Sequence, residues 1–136
     1  MSTKKTKRIS KKSYYFNIAR EVAKRSPCLR RKFGAIIVRD DVILSTGYNG
    51  PARGEPHCEK CIRDELGKKH KDEYEICPAV HAEENAIINA ARNGICINDG
   101  TLYLVGLEKD GTVIRTHPCY RCTRALNNAG ITGIQI

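Results

Sequence analysis

With 136 residues and 15.2 kDa, the chain has the length of one domain and can bury a core without disulfide staples. Its 40% apolar and 29% charged residues exclude a disordered chain, and no apolar run approaches the ~20 residues that span a bilayer. The net charge of +9 invites a nucleic-acid reading, but Lys4, Lys5, Lys7, Arg8, Lys11 and Lys12 all fall in residues 1–12, which contain no acid, and most of the excess is therefore local.

Residues 1–12 read as a flexible basic tail and residues 13–136 as the folded domain. Ser13 precedes a stretch in which Tyr15, Ile18, Ala19 and Val22 recur at helical spacing, which predicts a first helix ending near Arg25. Ala35-Ile36-Ile37-Val38 and Val42-Ile43-Leu44 flank Asp40-Asp41 and predict a hairpin, whose second strand runs out at Gly47-Tyr48-Asn49-Gly50. Residues 51–78 are polar, with one short helix expected around Ile62–Leu66; a loop that long has a function or an internal staple. Ala82–Asn93 reads as a helix stopped by Gly94. Thr101–Val105 is a third strand, Thr112–Ile114 a short extra one, Cys119–Ala129 a helix closed by Gly130, and Ile134–Ile136 the start of a further strand. The order α-β-β-α-β-α-β argues for a mixed sheet covered by helices.

Seven cysteines are many for this length, and the basic N-terminus has no apolar stretch behind it to make a secretory signal. The thiols are expected to stay reduced in the cytoplasm, so metal binding is their first use to test. His81 opens one predicted helix, and Cys119-x-x-Cys122 opens another. One imidazole and two thiolates make a three-ligand zinc set, and a three-ligand set keeps a position for water whose pKa falls to about 7. The positive ends of both helices help keep the sulfurs ionised. Glu83, two residues after His81, can face that open position without ligating and so serve as a general acid and base. Singly, each of these residues has a structural explanation; together, in order and on helix starts, they point to catalysis.

The pattern His81-Ala82-Glu83 followed by Pro118-Cys119-Tyr120-Arg121-Cys122 resembles the signature of the zinc-dependent cytidine and deoxycytidylate deaminase superfamily. Within it the chain is most similar to the dCMP deaminases and related late-competence proteins. Gly34–Val38 leading to Gly47–Gly50, His81–Ile87, and Pro118 to Cys122 with Asn128–Ile131 carry that resemblance. It implies a three-layer α/β/α sandwich of the cytidine deaminase type, with a mixed central sheet and helices on both faces. It also implies hydrolysis of dCMP to dUMP and ammonia, with zinc on His81, Cys119 and Cys122 and Glu83 moving protons. Asn49 would contact the sugar and the Ala82 N–H the base carbonyl. A 5′-phosphate needs a cation, for which Arg30, Arg31, Lys32 and Arg53 are candidates. The partners implied are a small nucleotide and further copies of the chain, without membrane or nucleic acid.

Two departures from the pattern stand out. Gly106–His117 intervenes between the third strand and the cysteine motif, and is expected to reshape the pocket rim. Glu84 adds a second carboxylate beside Glu83, expected to face away from the metal. Ending at Ile136, the fold is expected to leave a sheet edge for a partner chain to cover. Of the remaining cysteines, Cys58-x-x-Cys61 has metal spacing, and with Cys28 and Cys77, or with His57 or His70, it could hold a second, structural zinc that staples the 51–78 loop. Some members of the resembling family hold such a zinc. The alternative is that Cys28 and Cys77 are buried thiols; Cys96 reads as core. Two other functions stay open: a deaminase acting on tRNA or another nucleobase, and a non-enzymatic accessory protein of competence or DNA uptake on the same scaffold. Gly47–Gly50 and the cysteine-bearing loop favour a mononucleotide enzyme over the first, and Glu83 argues against the second.

Overall fold

The run Ala35-Ile36-Ile37-Val38 is apolar without alternation because its strand is buried on both faces. A computed structural model describes residues 7–68 and 74–136. Its elements are α1 (Lys11–Lys24), β1 (Lys32–Arg39), β2 (Val42–Tyr48), β3 (Gly50–Pro51), α2 (Ile62–Glu65), β4 (Ala79–Val80), α3 (Ala82–Arg92), β5 (Thr101–Leu107), β6 (Val113–Ile114), α4 (Tyr120–Asn128) and β7 (Gly133–Gln135). The main sheet runs β2-β1-β5, and the far edge of β5 is shared. Its first half pairs with β7 in parallel and its second half with β6 in antiparallel fashion. β3 and β4 form a separate two-stranded ladder, Gly50 opposite Val80 and Pro51 opposite Ala79.

The pleat divides the core into two layers. Ile36, Val38, Val105 and Leu107 face α1, where Tyr15, Ala19 and Ala23 receive them. Ala35, Ile37, Leu102 and Leu104 face the other way, onto Ala82, Ala86 and Ala90 of α3 and Leu126 of α4. Ile36, Ile37, Leu102 and Leu126 are fully buried, each contributing roughly 1.5–3 kcal/mol of apolar burial. The expected three-layer sandwich with a mixed sheet is therefore the observed one.

The small residues set the spacing of these layers. A Cβ on Gly34 would lie 2.2 Å from the Ala19 carbonyl oxygen, so α1 seats directly on the backbone of β1. The hairpin turn uses Asp40 and Asp41 at φ 51° and 63°, the paired left-handed conformation of a type I′ turn.

Several boundaries differ from the sequence expectation. α1 starts at Lys11 because Ser10, not Ser13, caps it: the Ser10 Oγ accepts from the Ser13 N–H at 3.1 Å. The basic stretch thus runs into the helix, and its residues 1–6 lie outside the described residues. β5 extends to Leu107 because Gly106 and Leu107 pair with Ile114 and Val113 of the intervening segment. Cys96 is exposed rather than core; the neighbouring Ile97 fills the core, while the Cys96 carbonyl accepts from Arg39. Among the described residues no helix is long and apolar enough to cross a membrane.

Candidate active site and metal centre

α3 and α4 begin on the same side of the sheet, and the residue that opens each is a ligand. His81 is the N-cap of α3 and Cys119 the N-cap of α4, both in extended backbone, and neither side chain caps its own helix. The positions usually given to Ser or Asp are thus occupied by an imidazole and a thiol that turn toward each other. His81 Nδ1 lies 3.3 Å from Cys122 Sγ and 3.6 Å from Cys119 Sγ. Among the described residues, His81, Cys119 and Cys122 are the one group of three or more potential ligands whose donor atoms all lie within 4.8 Å of one another.

The electrostatics of this group fit a cation. Burial holds the His81 imidazole below its usual pKa, which favours the neutral, ligating form; Glu84 opposes this, and Arg121 and Arg63 reinforce it. Burial, the Glu83 carboxylate and Cys119 push the Cys122 thiol strongly up. A positive ion beside the imidazole is what would keep the Cys122 sulfur ionised, and the soft donor set of one imidazole and two thiols suits zinc. Glu83 is buried, 5% exposed, on the wall of a cavity that His81, Ala82 and Cys119 also line. Glu84 does not simply turn away as expected. Its Oε1 comes within 3.9 Å of Cys122 Sγ, and its other oxygen lies 3.9 Å from Arg121.

The placement of α3 depends on residues that sequence reasoning missed. Asn85 and Asn89, one turn apart, donate to the Tyr48 and Thr46 carbonyls of β2 at 2.8 and 2.7 Å. Ser45 donates to the Ala86 carbonyl at 2.8 Å, and the absence of a Cβ on Gly47 lets the helix lie against the strand. The spacing Asn85–Asn89 was visible, but nothing in it named the strand it would bind.

Asn49 lines the cavity, with its amide already engaged. Oδ1 accepts from the Phe33 N–H at 2.8 Å, and Nδ2 donates to the Arg31 carbonyl at 3.0 Å. One lone pair and one N–H remain for a ligand. Ser26, buried and absent from the sequence reading, supports the same wall by donating to the Asn49 carbonyl at 2.7 Å and accepting from the Cys28 N–H at 3.2 Å.

Cys28, Cys58, Cys61 and Cys77 also line the cavity. Burial pushes the Cys28 thiol up to about 11, and the other three thiols add to the shift, so the four share one neighbourhood. They do not converge as tightly as the His81 group. His70 lies outside the described residues. Of the candidate phosphate cations, Arg30 lines the cavity, and its buried Nη1 has no partner among the described residues; Arg31 lines it but is paired to Glu108 at 3.0 Å, Arg53 is bonded to Asn89 at 2.6 Å, and Lys32 borders a separate cleft beside Arg20 and Lys24.

Comparison with known proteins gives a consistent picture. The sequence profile of the cytidine and deoxycytidylate deaminase zinc-binding region matches residues 9–136. A deoxycytidylate deaminase of Schizosaccharomyces pombe is 34% identical over 121 residues, covering 88% of this chain and 34% of that protein; the chain therefore spans about a third of that relative. A deoxycytidylate deaminase of Mycobacterium phage D29 is 33% identical over 123 residues, with 87% of each chain covered. Among solved structures, the dCMP deaminase of cyanophage S-TIM5 in complex with dCMP and dUMP superimposes with a TM-score of 0.69 at 28% identity, covering 90% of this chain and 77% of that one.

Proposed function

The chain belongs to the cytidine and deoxycytidylate deaminase family, and from that premise we propose that it hydrolyses the 4-amino group of dCMP, giving dUMP and ammonia. The observation that carries the reading is the convergence of His81, Cys119 and Cys122, with His81, Cys119 and the buried Glu83 on one cavity wall. Support for a mononucleotide comes from the phage relatives named above.

His81, Cys119 and Cys122 would hold a zinc ion, which would supply Lewis-acid activation of water. The protein's own groups do the rest. Glu83 accepts a proton from the attacking water and passes it to N3 of the base as the C4–O bond forms. It then takes the proton of the new C4 hydroxyl and delivers it to the amino group, and the C4–N bond breaks with loss of ammonia as the C4 carbonyl forms. Ala82, in the first turn of α3, has a backbone N–H with no acceptor inside its helix, suited to the base carbonyl at O2. Asn49 offers its remaining amide valences to the sugar, and Arg30 faces the cavity as the cation for the 5′-phosphate.

Ammonia release from dCMP is the test. Glu83→Gln is expected to abolish it while bound zinc is retained, and wild-type protein with full zinc but no turnover of dCMP, CMP, deoxycytidine or dCTP would overturn the reading. Turnover confined to a tRNA anticodon stem would favour the nucleobase alternative. The same proposal includes a second zinc among Cys28, Cys58, Cys61 and Cys77, supported by their shared cavity wall, so metal analysis should find close to two zinc ions per chain. It also includes self-association, for which light scattering is the check. Seven free thiols support a reducing, cytoplasmic setting.

A further inference from the structure

Arg30, on the cavity wall, carries an unanswered donor. Arg30 Nη1 is buried without a hydrogen-bond partner among the described residues, while its Nε is tied to Asp64 Oδ1 at 3.3 Å. A buried guanidinium nitrogen left without an acceptor is costly, and on a side chain that lines a cavity it is a donor that a bound anion would satisfy. Asp64 belongs to α2 in the 51–78 loop, and its second oxygen takes Lys109 at 3.2 Å from the turn between β5 and β6. Arg31, next in sequence, is held by Glu108 of that same turn at 3.0 Å. Two segments far apart in the chain, α2 and the β5–β6 turn, thereby grip the arginine pair that precedes β1.

We propose that Asp64 is a positioning residue that sets selectivity for a phosphorylated substrate. Its carboxylate anchors Arg30 by Nε, with Lys109 holding that carboxylate by its other oxygen, so that the guanidinium stays at the cavity wall with a donor to spare for a 5′-phosphate. The inference rests on the proposed deaminase reading and adds to it the group that orients the phosphate contact. The geometry explains why the charge is divided this way. A guanidinium free to rotate would pay side-chain entropy on binding, whereas one fixed at Nε presents its other nitrogens already oriented. Asp64 itself does not line the cavity wall and acts through Arg30.

The experiment uses the zinc-loaded full chain with dCMP and deoxycytidine as paired substrates, the second lacking only the phosphate. Arg30→Gln is expected to raise KM for dCMP about 10–100-fold, the loss of one charge-assisted hydrogen bond. Asp64→Asn should raise it about 3–10-fold with kcat within twofold, and Asp64→Glu should restore part of the loss. On the Arg30→Gln background, Asp64→Asn should add nothing, because its effect passes through the missing arginine. The dCMP-to-deoxycytidine preference should fall in step with KM. Equal losses on both substrates, additive effects in the double variant, or lost preference in Arg63→Gln with Arg30→Gln unaffected would each overturn the proposal. Wild-type protein inactive on every cytosine nucleotide would overturn the function reading and this inference with it; intact wild-type dCMP turnover with any of the other three results would overturn this inference alone.

Discussion

Gly47→Ala adds one methyl group outside the cavity and should nonetheless reach the chemistry. The new Cβ would lie 2.4 Å from the Ala86 nitrogen, 2.5 Å from the Ala82 carbonyl oxygen and 2.8 Å from the Asn85 carbonyl carbon. All three are backbone atoms, so no side chain can rotate aside. Restoring ordinary contact at 3.4 Å requires α3 to move about 1 Å away from β2. Overpacking of this kind costs typically 1–3 kcal/mol, at the upper end here, against roughly 0.5–1 kcal/mol gained by replacing a strand glycine with alanine. The net is about 2 kcal/mol, or a fall of about 8 °C in Tm for a chain of this size. Because His81 and Glu83 ride on α3 while Cys119 and Cys122 ride on α4, the same displacement should cost about 100-fold in kcat. Gly34→Ala is the matched control. Its Cβ would meet the Ala19 oxygen at 2.2 Å on the opposite layer, so it should destabilise the fold while leaving kcat of the folded fraction within a few-fold. Differential scanning fluorimetry and a saturating ammonia-release assay read both quantities. A Gly47→Ala protein with wild-type Tm and kcat within twofold of wild type would refute the argument that this contact sets the helix.

Ser26→Ala removes the hydroxyl that joins the Asn49 carbonyl to the Cys28 N–H, leaving buried groups short of a partner; a loss of about 1–3 kcal/mol is expected in denaturant unfolding, and a change below about 0.5 kcal/mol would count against that role. Tyr15→Phe tests the phenol that donates to the Asp41 carboxylate. That bond holds Asp41 below its ordinary 3.8 and raises Tyr15 from 10.0 to about 12. A lowered carboxyl stabilises above 3.8 and loses its effect as pH falls through the folded value; a raised phenol stabilises below 10 and loses its effect as pH rises toward 12. The stability difference between wild type and Tyr15→Phe should therefore be flat from about pH 5 to 9 and shrink at both extremes, and a difference that changes with pH inside that window would contradict the pairing.

The legible part of this molecule was local. Ala82–Asn93 announced its helix by period and by Gly94, the hairpin by two β-branched runs about a two-residue turn, and the ligand set by His81-Ala82-Glu83 and Cys119-x-x-Cys122. What could not be read depends on partners distant in sequence. Ser26 looks like any helix-ending serine until Asn49 lies above it, and Asn85 and Asn89 look like exposed polar residues until β2 supplies their acceptors. The four arginine and lysine candidates were equivalent as letters. They separated only when Glu108 and Asn89 were seen to occupy two of them and a different cleft to border the third. Cys96 was misplaced for a related reason, since a thiol and the adjacent Ile97 are equally plausible core residues and the turn after α3 admits only one.

The position of β5 bears on how the molecule comes together. β1 and β2 meet across a tight turn, but β5 must be brought to β1 from far along the chain, pairing from Val38 with Thr101 to Lys32 with Leu107. α3 enters before that strand and α4 leaves after it. Closing so long a loop is the slow, entropically costly step in forming a sheet, and neither half of the metal group meets the other until it is done. A chain still awaiting β5 has a hairpin and a helix but no catalytic centre, so recovery of activity on refolding should lag behind the first gain of secondary structure and coincide with the insertion of this one strand.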